Sequence, residues 1–320
     1  MTKKKLVSII TPVYNEEDNI RDCYNAVKKI FATELTDYDY EHIFADNAST
    51  DKSLQVLREI ADIDHSVKVI VNSRNFGASR SSFNCLLSAE GDVVVYTIAA
   101  DLQDPPELIP AFIKKWEEGY QIVYGIRETR EERRVLTFLR KRYYRMIRSF
   151  SEFEIPNDAG DFQLLDKIVV ENLRKFDDYF PYVRGLIAQT GFDSIGIKYN
   201  HLKRKKGEAK GNLFALVDLG INGIVSFTNI PLRVAMISGF IISILSILFG
   251  FIQLTLWIIN TVIYGKEATT PGLATLVLGM FFFFGIILFF IGILGEYVGA
   301  IHAQVRKGPI VIVKEKINFE

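Results

Sequence analysis

Four polar runs recur in the first third of the chain: Thr11-Pro-Val-Tyr-Asn-Glu16, Asp46-Asn-Ala-Ser-Thr-Asp51, Asn72-Ser-Arg-Asn-Phe-Gly77 and Ala99-Ala-Asp-Leu-Gln-Asp104. Their carboxylates and amides accept hydrogen bonds from N–H and O–H donors, and carboxylates also take oxygen-seeking cations. Singly, such residues cap helices and shape turns more often than they bind ligands. What marks them is position, because each follows a short β-rich apolar run, at residues 6–11, 40–45, 67–71 and 93–98. Other chemistries are excluded. No G-x-G-x-x-G follows the first run and no G-x-x-x-x-G-K-[ST] occurs, which removes dinucleotide and P-loop sites. Cys23 and Cys85 lack metal-type spacing and suit a reducing compartment, and the four histidines, His42, His65, His201 and His302, form no cluster.

The elements that must place these runs follow from periodicity. Amphipathic segments at 19–31, 53–62, 78–88 and 106–118 alternate with the apolar runs, and a further run stands at 122–124. Such βα alternation predicts an α/β, largely parallel sheet with helices on both faces and right-handed crossovers. Ligands of such sheets gather beyond the carboxyl ends of the strands, where the polar runs lie. The basic start, Met1-Thr-Lys-Lys-Lys5, and the apolar residues after it mimic a signal peptide. Pro12 and the acidic Glu16, Glu17 and Asp18 cut that stretch short, so a first strand is expected.

Zero formal charge and 49% hydrophobic residues over 320 positions conceal a divided chain. Between Arg233 and Lys266 stand 32 residues without Asp, Glu, Lys or Arg, and between Glu267 and Glu296 another 28. A bilayer core about 30 Å thick needs about 20 apolar helical residues, so each run can span it. Trp257, Tyr264 and Tyr297 suit interfacial belts. The chain thus divides into a cytosolic α/β domain at 1–202, a basic juxtamembrane segment at 203–232, transmembrane helices at 234–264 and 271–297, and a cytosolic tail at 303–320. Basic residues before the first span and after the second predict that both termini are cytoplasmic. Residues 133–150 and 213–227 read as amphipathic helices lying on the membrane surface. The β-branched run at 309–314 is expected to add to a sheet, its own or a neighbouring subunit's.

The ordered series Thr11-Pro-Val-Tyr-Asn-Glu-Glu17, Asp46-Asn-Ala-Ser-Thr-Asp51, Arg74-Asn-Phe-Gly77 and Ala100-Asp-Leu-Gln-Asp-Pro-Pro-Glu107 resembles the inverting family 2 glycosyltransferases with a GT-A fold. Later landmarks are Gly125-Ile-Arg127, Asn157-Asp-Ala-Gly-Asp-Phe-Gln163 and Arg204-Lys-Lys-Gly-Glu-Ala-Lys210. Within that family the chain is similar to the polyisoprenyl-phosphate glycosyltransferases, among them bactoprenol glucosyltransferases and dolichol-phosphate mannose synthase.

The resemblance implies that Pro12, Tyr14, Glu16 and Asp46 hold the nucleotide base and ribose, with Arg74 and Asn75 nearby. It implies a Mg²⁺ or Mn²⁺ ion on Asp101 and Gln103, the last two positions of an Asp-x-Asp-x-Gln pattern; Ala99 departs from that pattern, which puts Asp104 forward as a substitute ligand. Asp158 takes the base-like role, and Arg127, Arg133, Arg134, Arg204 and Lys210 the acceptor phosphate. The implied partners are a nucleotide sugar, a polyisoprenyl phosphate, the membrane and further copies of the chain, a tetramer among the possibilities; no nucleic acid is expected. The implied reaction is hexose transfer from UDP-glucose, or from GDP-mannose or UDP-N-acetylglucosamine, to undecaprenyl phosphate. Two rivals are a processive family 2 synthase, whose Gln-x-x-Arg-Trp motif and extra spans are missing, and a scaffold that kept the fold without catalysis, which Ala99 keeps open.

Overall fold

The computed structural model describes residues 4–127, 159–179, 181–202, 229–259, 262, 273–306 and 308–319. Asp158, Arg133, Arg134, Arg204 and Lys210, and both amphipathic segments, lie outside them. Two compact units separate, one holding residues 1–218 and 307–320 and the other residues 219–306.

The first unit is built on an eight-stranded sheet. Its strands are β1 (Lys5–Val13), β2 (Tyr38–Asp46), β3 (Val67–Asn72), β4 (Val93–Tyr96), β5 (Ile122–Arg127), β6 (Ala159–Asp166), β7 (Ser194–Tyr199) and β8 (Val313–Ile317), in the order β7-β5-β6-β4-β1-β2-β3-β8. The central pairs β4/β1, β1/β2 and β2/β3 are parallel, as is β5/β7. β6 pairs antiparallel with both β4 and β5, and β8 antiparallel with β3. The α/β reading therefore holds, with antiparallel members that the apolar runs did not announce.

The helices are α1 (Ile20–Thr33), α2 (Ser53–Ile63), α3 (Ala78–Ser88), α4 (Ile109–Glu117), α5 (Lys167–Leu173) and α6 (Val183–Gln189). Successive strand residues point to opposite faces, and the sequence exploits this. Ile10, Ile43, Ile70, Val94, Tyr96 and Leu165 pack with α3, α5 and α6. Ile9, Val93, Val95, Phe162 and Leu164 face the other way, onto α1 and α4, while Phe44, Val69 and Val71 meet α2. Strands apolar on both faces are those of a sheet covered on both sides.

The tail does add to a sheet, and the sheet belongs to its own chain. β8 lies four residues beyond the start of the apolar run, at Val313–Ile317, where Arg58 of α2 can reach Glu315 and Asn318 donates to the carbonyls of Ala61 and Val67 at 2.8 Å each. In the second unit, α7 (Ile230–Ile258) and α8 (Leu273–Val305) run 29 and 33 residues and contain candidate membrane spans at Ile230–Gln253 and Gly279–Val305. Their apolar side chains, Phe240, Phe249, Phe281 and Leu288 among them, are exposed. α8 continues beyond Tyr297 through His302, so apolar length and helix length differ.

A titratable group sits inside the sheet. His42 is fully buried, stacks on Phe44 at 4.0 Å and shares a hydrogen bond of 2.9 Å between Nε2 and Thr11 Oγ1. Its Nδ1 is buried with no hydrogen-bond partner among the described residues, and burial pushes its pKa down to about 3. Between that value and about 6.5, the unperturbed histidine value, the unfolded chain binds a proton that the folded one refuses, so stability falls with acidification through this window by about 1.4 kcal/mol per pH unit. Thermal unfolding followed by circular dichroism from pH 7 to pH 4 should show the fall, with a shallower slope in His42→Gln. An equal slope in that variant would assign the acid loss to other groups.

Candidate active site

β1 lies between β2 and β4, so the order of the central strands reverses at this point, which is where open α/β sheets form their ligand crevice. The loops leaving these strands are strained there. Asn15, Ala48, Thr97 and Leu102 hold φ of 55°, 60°, 59° and 54°, in the left-handed region that residues with side chains avoid. Thr97 also explains why β4 stops at Tyr96 although the apolar run continues to Ile98. Each such residue costs on the order of 1–3 kcal/mol and persists where its surroundings enforce it.

The enforcing bonds are present. The loop after β1 is latched to the loop after β2: the Asn15 N–H donates to Ser49 Oγ (2.9 Å), the Thr50 N–H to Asn15 Oδ1 (2.7 Å), the Glu16 N–H to Ser53 Oγ (2.8 Å) and the Lys52 N–H to Glu17 Oε2 (2.8 Å). Glu16 Oε2 accepts from Asn19 Nδ2 at 2.6 Å. Asp46, the last residue of β2, is 1% exposed, and both its oxygens accept from the Ser49 N–H at 3.3 Å. Burial raises its pKa, and the bonds from Ser49 oppose the rise. Pro12 pairs in register with Ala45, and Tyr14 leaves β1 with an exposed ring.

Asn47 joins three elements. Its Nδ2 donates to Asn75 Oδ1 (2.9 Å), and its Oδ1 accepts from Asn72 Nδ2 (3.1 Å) and the Phe76 N–H (3.0 Å). Asn72 Nδ2 also donates to Ser81 Oγ (2.9 Å), and the Gly77 N–H to Asn75 Oδ1 (2.9 Å). Gly77 at φ 88° then opens α3, a conformation open to a residue without Cβ. Arg74 lies over the Phe76 ring at 3.9 Å and donates to the Asn75 carbonyl.

The loop after β4 carries the remaining carboxylates. Asp101 is 9% exposed and its Oδ1 accepts from the Gln103 N–H at 3.2 Å. The Gln103 side chain donates from Nε2 to the Leu202 carbonyl (3.3 Å), and the Leu202 N–H donates to the Gln103 carbonyl (2.9 Å). Asp104, 4% exposed, accepts from Arg127 Nη2 at 3.1 and 3.2 Å, from the Tyr199 hydroxyl and from His201 Nδ1 at 3.2 Å. Burial, with Arg127 beside it, lowers the pKa of His201 against the pull of Asp104. Burial and the Asp104 carboxylate raise that of Tyr199.

Asp104 is thus engaged by an arginine, a tyrosine and a histidine, and the resemblance puts the cation on Asp101, three residues earlier in the same loop. Among the described residues no three or more His, Cys, Asp and Glu side chains could hold an ion by themselves. One carboxylate fits Mg²⁺ or Mn²⁺ only where a ligand's own oxygens complete the shell, a common arrangement for Mg²⁺ with phosphates.

Sequence reading therefore selected residues that the structure gathers at four adjoining strand ends, Pro12, Tyr14 and Glu16 at β1, Asp46 at β2, Arg74 and Asn75 at β3, and Asp101 and Gln103 at β4, and Arg127 at the end of β5. It passed over Asn47, Tyr199 and His201, whose partners are distant in the chain. It also gave no role to Asp161, held through both oxygens by Arg184 Nε and Nη2 at 2.5 and 2.8 Å.

Comparison with known proteins agrees with this architecture. Residues 8–174 match the family described as glycosyl transferase family 2. The uncharacterized glycosyltransferase YkcC of Bacillus subtilis is 35% identical over 100% of this chain and 97% of its own length. The uncharacterized glycosyltransferase sll0501 of Synechocystis is 33% identical over 98% and 96%. The prophage-derived bactoprenol glucosyl transferase of Shigella flexneri is 32% identical over 97% of each.

Removal of the Asn47 side chain tests the joint at the rim. Asn47→Ala leaves Asn72, Asn75 and the Phe76 N–H each short of a partner, a loss of about 1–3 kcal/mol, the scale of one buried group at Asn72, with water meeting the shortfall at the exposed Asn75 and half-buried Phe76. Hydrogen exchange should show the Phe76 and Gly77 amides losing protection while those of β1 keep theirs. Unchanged protection at Phe76 would show that the loop holds without Asn47.

Proposed function

The chain belongs to glycosyl transferase family 2 and is a glycosyltransferase, and from that premise we propose that it transfers a hexose to a polyisoprenyl phosphate at the cytoplasmic face of a membrane. One observation carries the acceptor assignment: the similarity to a bactoprenol glucosyl transferase extends over 97% of the chain, the two long apolar helices included. Glucose from UDP-glucose is the donor we favour on the same ground, with undecaprenyl phosphate as acceptor.

The residues supply a coherent route. The Asp46 and Glu16 carboxylates can accept from donors on a base and ribose, with Arg74 and Asn75 nearby, and the exposed Tyr14 ring offers a stacking face. The nucleophile is a phosphate oxygen that attacks the anomeric carbon as the nucleoside diphosphate departs, inverting that carbon. A phosphate monoester carries about −1.5 to −2 charges at pH 7, so proton removal is a small demand. Alignment of two anions is the larger one. Arg127 suits the acceptor phosphate, since its fork matches phosphate oxygens, and Asp158 is assigned to orienting acceptor or sugar. Asp101, with Gln103 beside it, would hold a divalent cation. When bound, such an ion neutralises the leaving diphosphate.

Ala99 favours a second reading, a family member that binds nucleotide without turnover. The two separate in one assay: purified full-length protein in detergent, Mg²⁺, radiolabelled UDP-glucose and undecaprenyl phosphate should give lipid-extractable label. Asp101→Ala should reduce it by about 10²–10³-fold, the scale on which single charge-stabilising groups act, and should abolish Mg²⁺-supported UDP binding in titration calorimetry. A folded preparation that makes no lipid product from any common nucleotide sugar, yet binds UDP, would establish the scaffold reading. Equal UDP affinity in parent and variant would move the cation site away from Asp101.

A further inference from the structure

We propose that Asp104 is a positioning residue which, with Tyr199 and His201, fixes the guanidinium of Arg127 so that one nitrogen, Nη1, is presented to the acceptor's phosphate monoester. This deepens the function proposed above and rests on it.

The geometry accounts for two of the three guanidinium nitrogens. Nη2 donates to both oxygens of Asp104 at 3.1 and 3.2 Å, and Nε donates to the Tyr199 hydroxyl at 3.0 Å. That hydroxyl in turn donates to Asp104 Oδ1, the oxygen that also meets His201 Nδ1. The three side chains thus close a ring of hydrogen bonds, and among the described residues Nη1 carries none. The planar group, held along one side, can present only the other.

The supports are rigid. Arg127 ends β5, Tyr199 ends β7, and these two residues are paired in register. The Tyr199 ring lies against Gly125, where a Cβ would stand 2.6 Å from Cε1, and meets Phe162 edge-on at 6.1 Å between centroids. Asp104 arrives from a different element, the loop after β4. Its charge formally cancels that of Arg127, so the pair adds little long-range attraction for a dianion. What remains is a directed donor. Stability alone is a weak reason to keep a buried ion pair, because desolvation offsets most of the attraction.

The test is a double-mutant cycle on the full-length protein in detergent, with initial rates against undecaprenyl phosphate and Kd for UDP with Mg²⁺. Asp104→Asn and Tyr199→Phe should each lower kcat/KM for the lipid phosphate by about 10- to 100-fold, the scale of a lost hydrogen bond to a charged group, and leave the UDP Kd unchanged. In an Arg127→Ala background neither should cost anything further, and Arg127→Lys should not restore the rate, since a point charge cannot be held from two sides. Tyr199→Phe removes a single hydroxyl and carries the test should Asp104→Asn fold poorly. Additive losses would overturn the inference by showing that Asp104 acts independently of Arg127. A weakened UDP Kd would overturn it by placing Asp104 on the donor side. An unmutated chain that makes no lipid product defeats the function itself, and this inference with it, and is recognised because it precedes any substitution.

Discussion

A carboxylate can stay charged inside a protein only where donors converge on it. Asp104 meets that condition through a side chain from β5, another from β7 and a third just beyond β7. The requirement reaches outward. β5 and β7 must pair in parallel, β6 must lie between β5 and β4, and the loop after β4 must turn back through a left-handed residue at Leu102. The antiparallel β6 is what lets a sheet whose first half is wound in one direction bring these later strands alongside the rim. The same loop carries Asp101, so the two carboxylates share one backbone constraint.

The central sheet was legible from periodicity because β1 to β4 are apolar on both faces and are separated by helices with clear stripes. β6 and β7 were not. β6 reads Ala159-Gly-Asp-Phe-Gln-Leu-Leu-Asp166, with a glycine, two acids and an amide that look like loop chemistry, and only pairing on both sides makes it a strand. The site divides in the same way. Residues directly following an apolar run, such as Asp46, Arg74 and Asp101, could be selected because position in the sequence implied position in space. Tyr199 and His201 are separated from Asp104 by more than ninety residues, and no local pattern reports such a meeting. The left-handed Ala48, Thr97 and Leu102 were equally silent, since none is a residue type that favours that conformation.

Two kinds of polarity coexist in the first unit. Around Asn47 the groups are neutral amides and hydroxyls that satisfy one another, which fixes a loop without adding charge. Around Asp104 and Asp161 they are ion pairs, with Arg127 and Arg184. The two do different work: neutral joints hold the backbone, and the paired charges are already oriented before any ligand arrives.

β8 has a consequence for the order in which the molecule is made. The strand that closes the exposed edge of β3 is encoded after both long apolar helices. While the ribosome is still producing those helices, β1 to β7 are already available, yet the β3 edge has open N–H and C=O groups of the kind that recruit foreign strands. Domains generally form as units during synthesis, N-terminal part first. Here the first unit is completed last of all, so both long apolar helices are synthesised before the sheet closes, and a nascent chain stalled before residue 313 carries an unfinished edge.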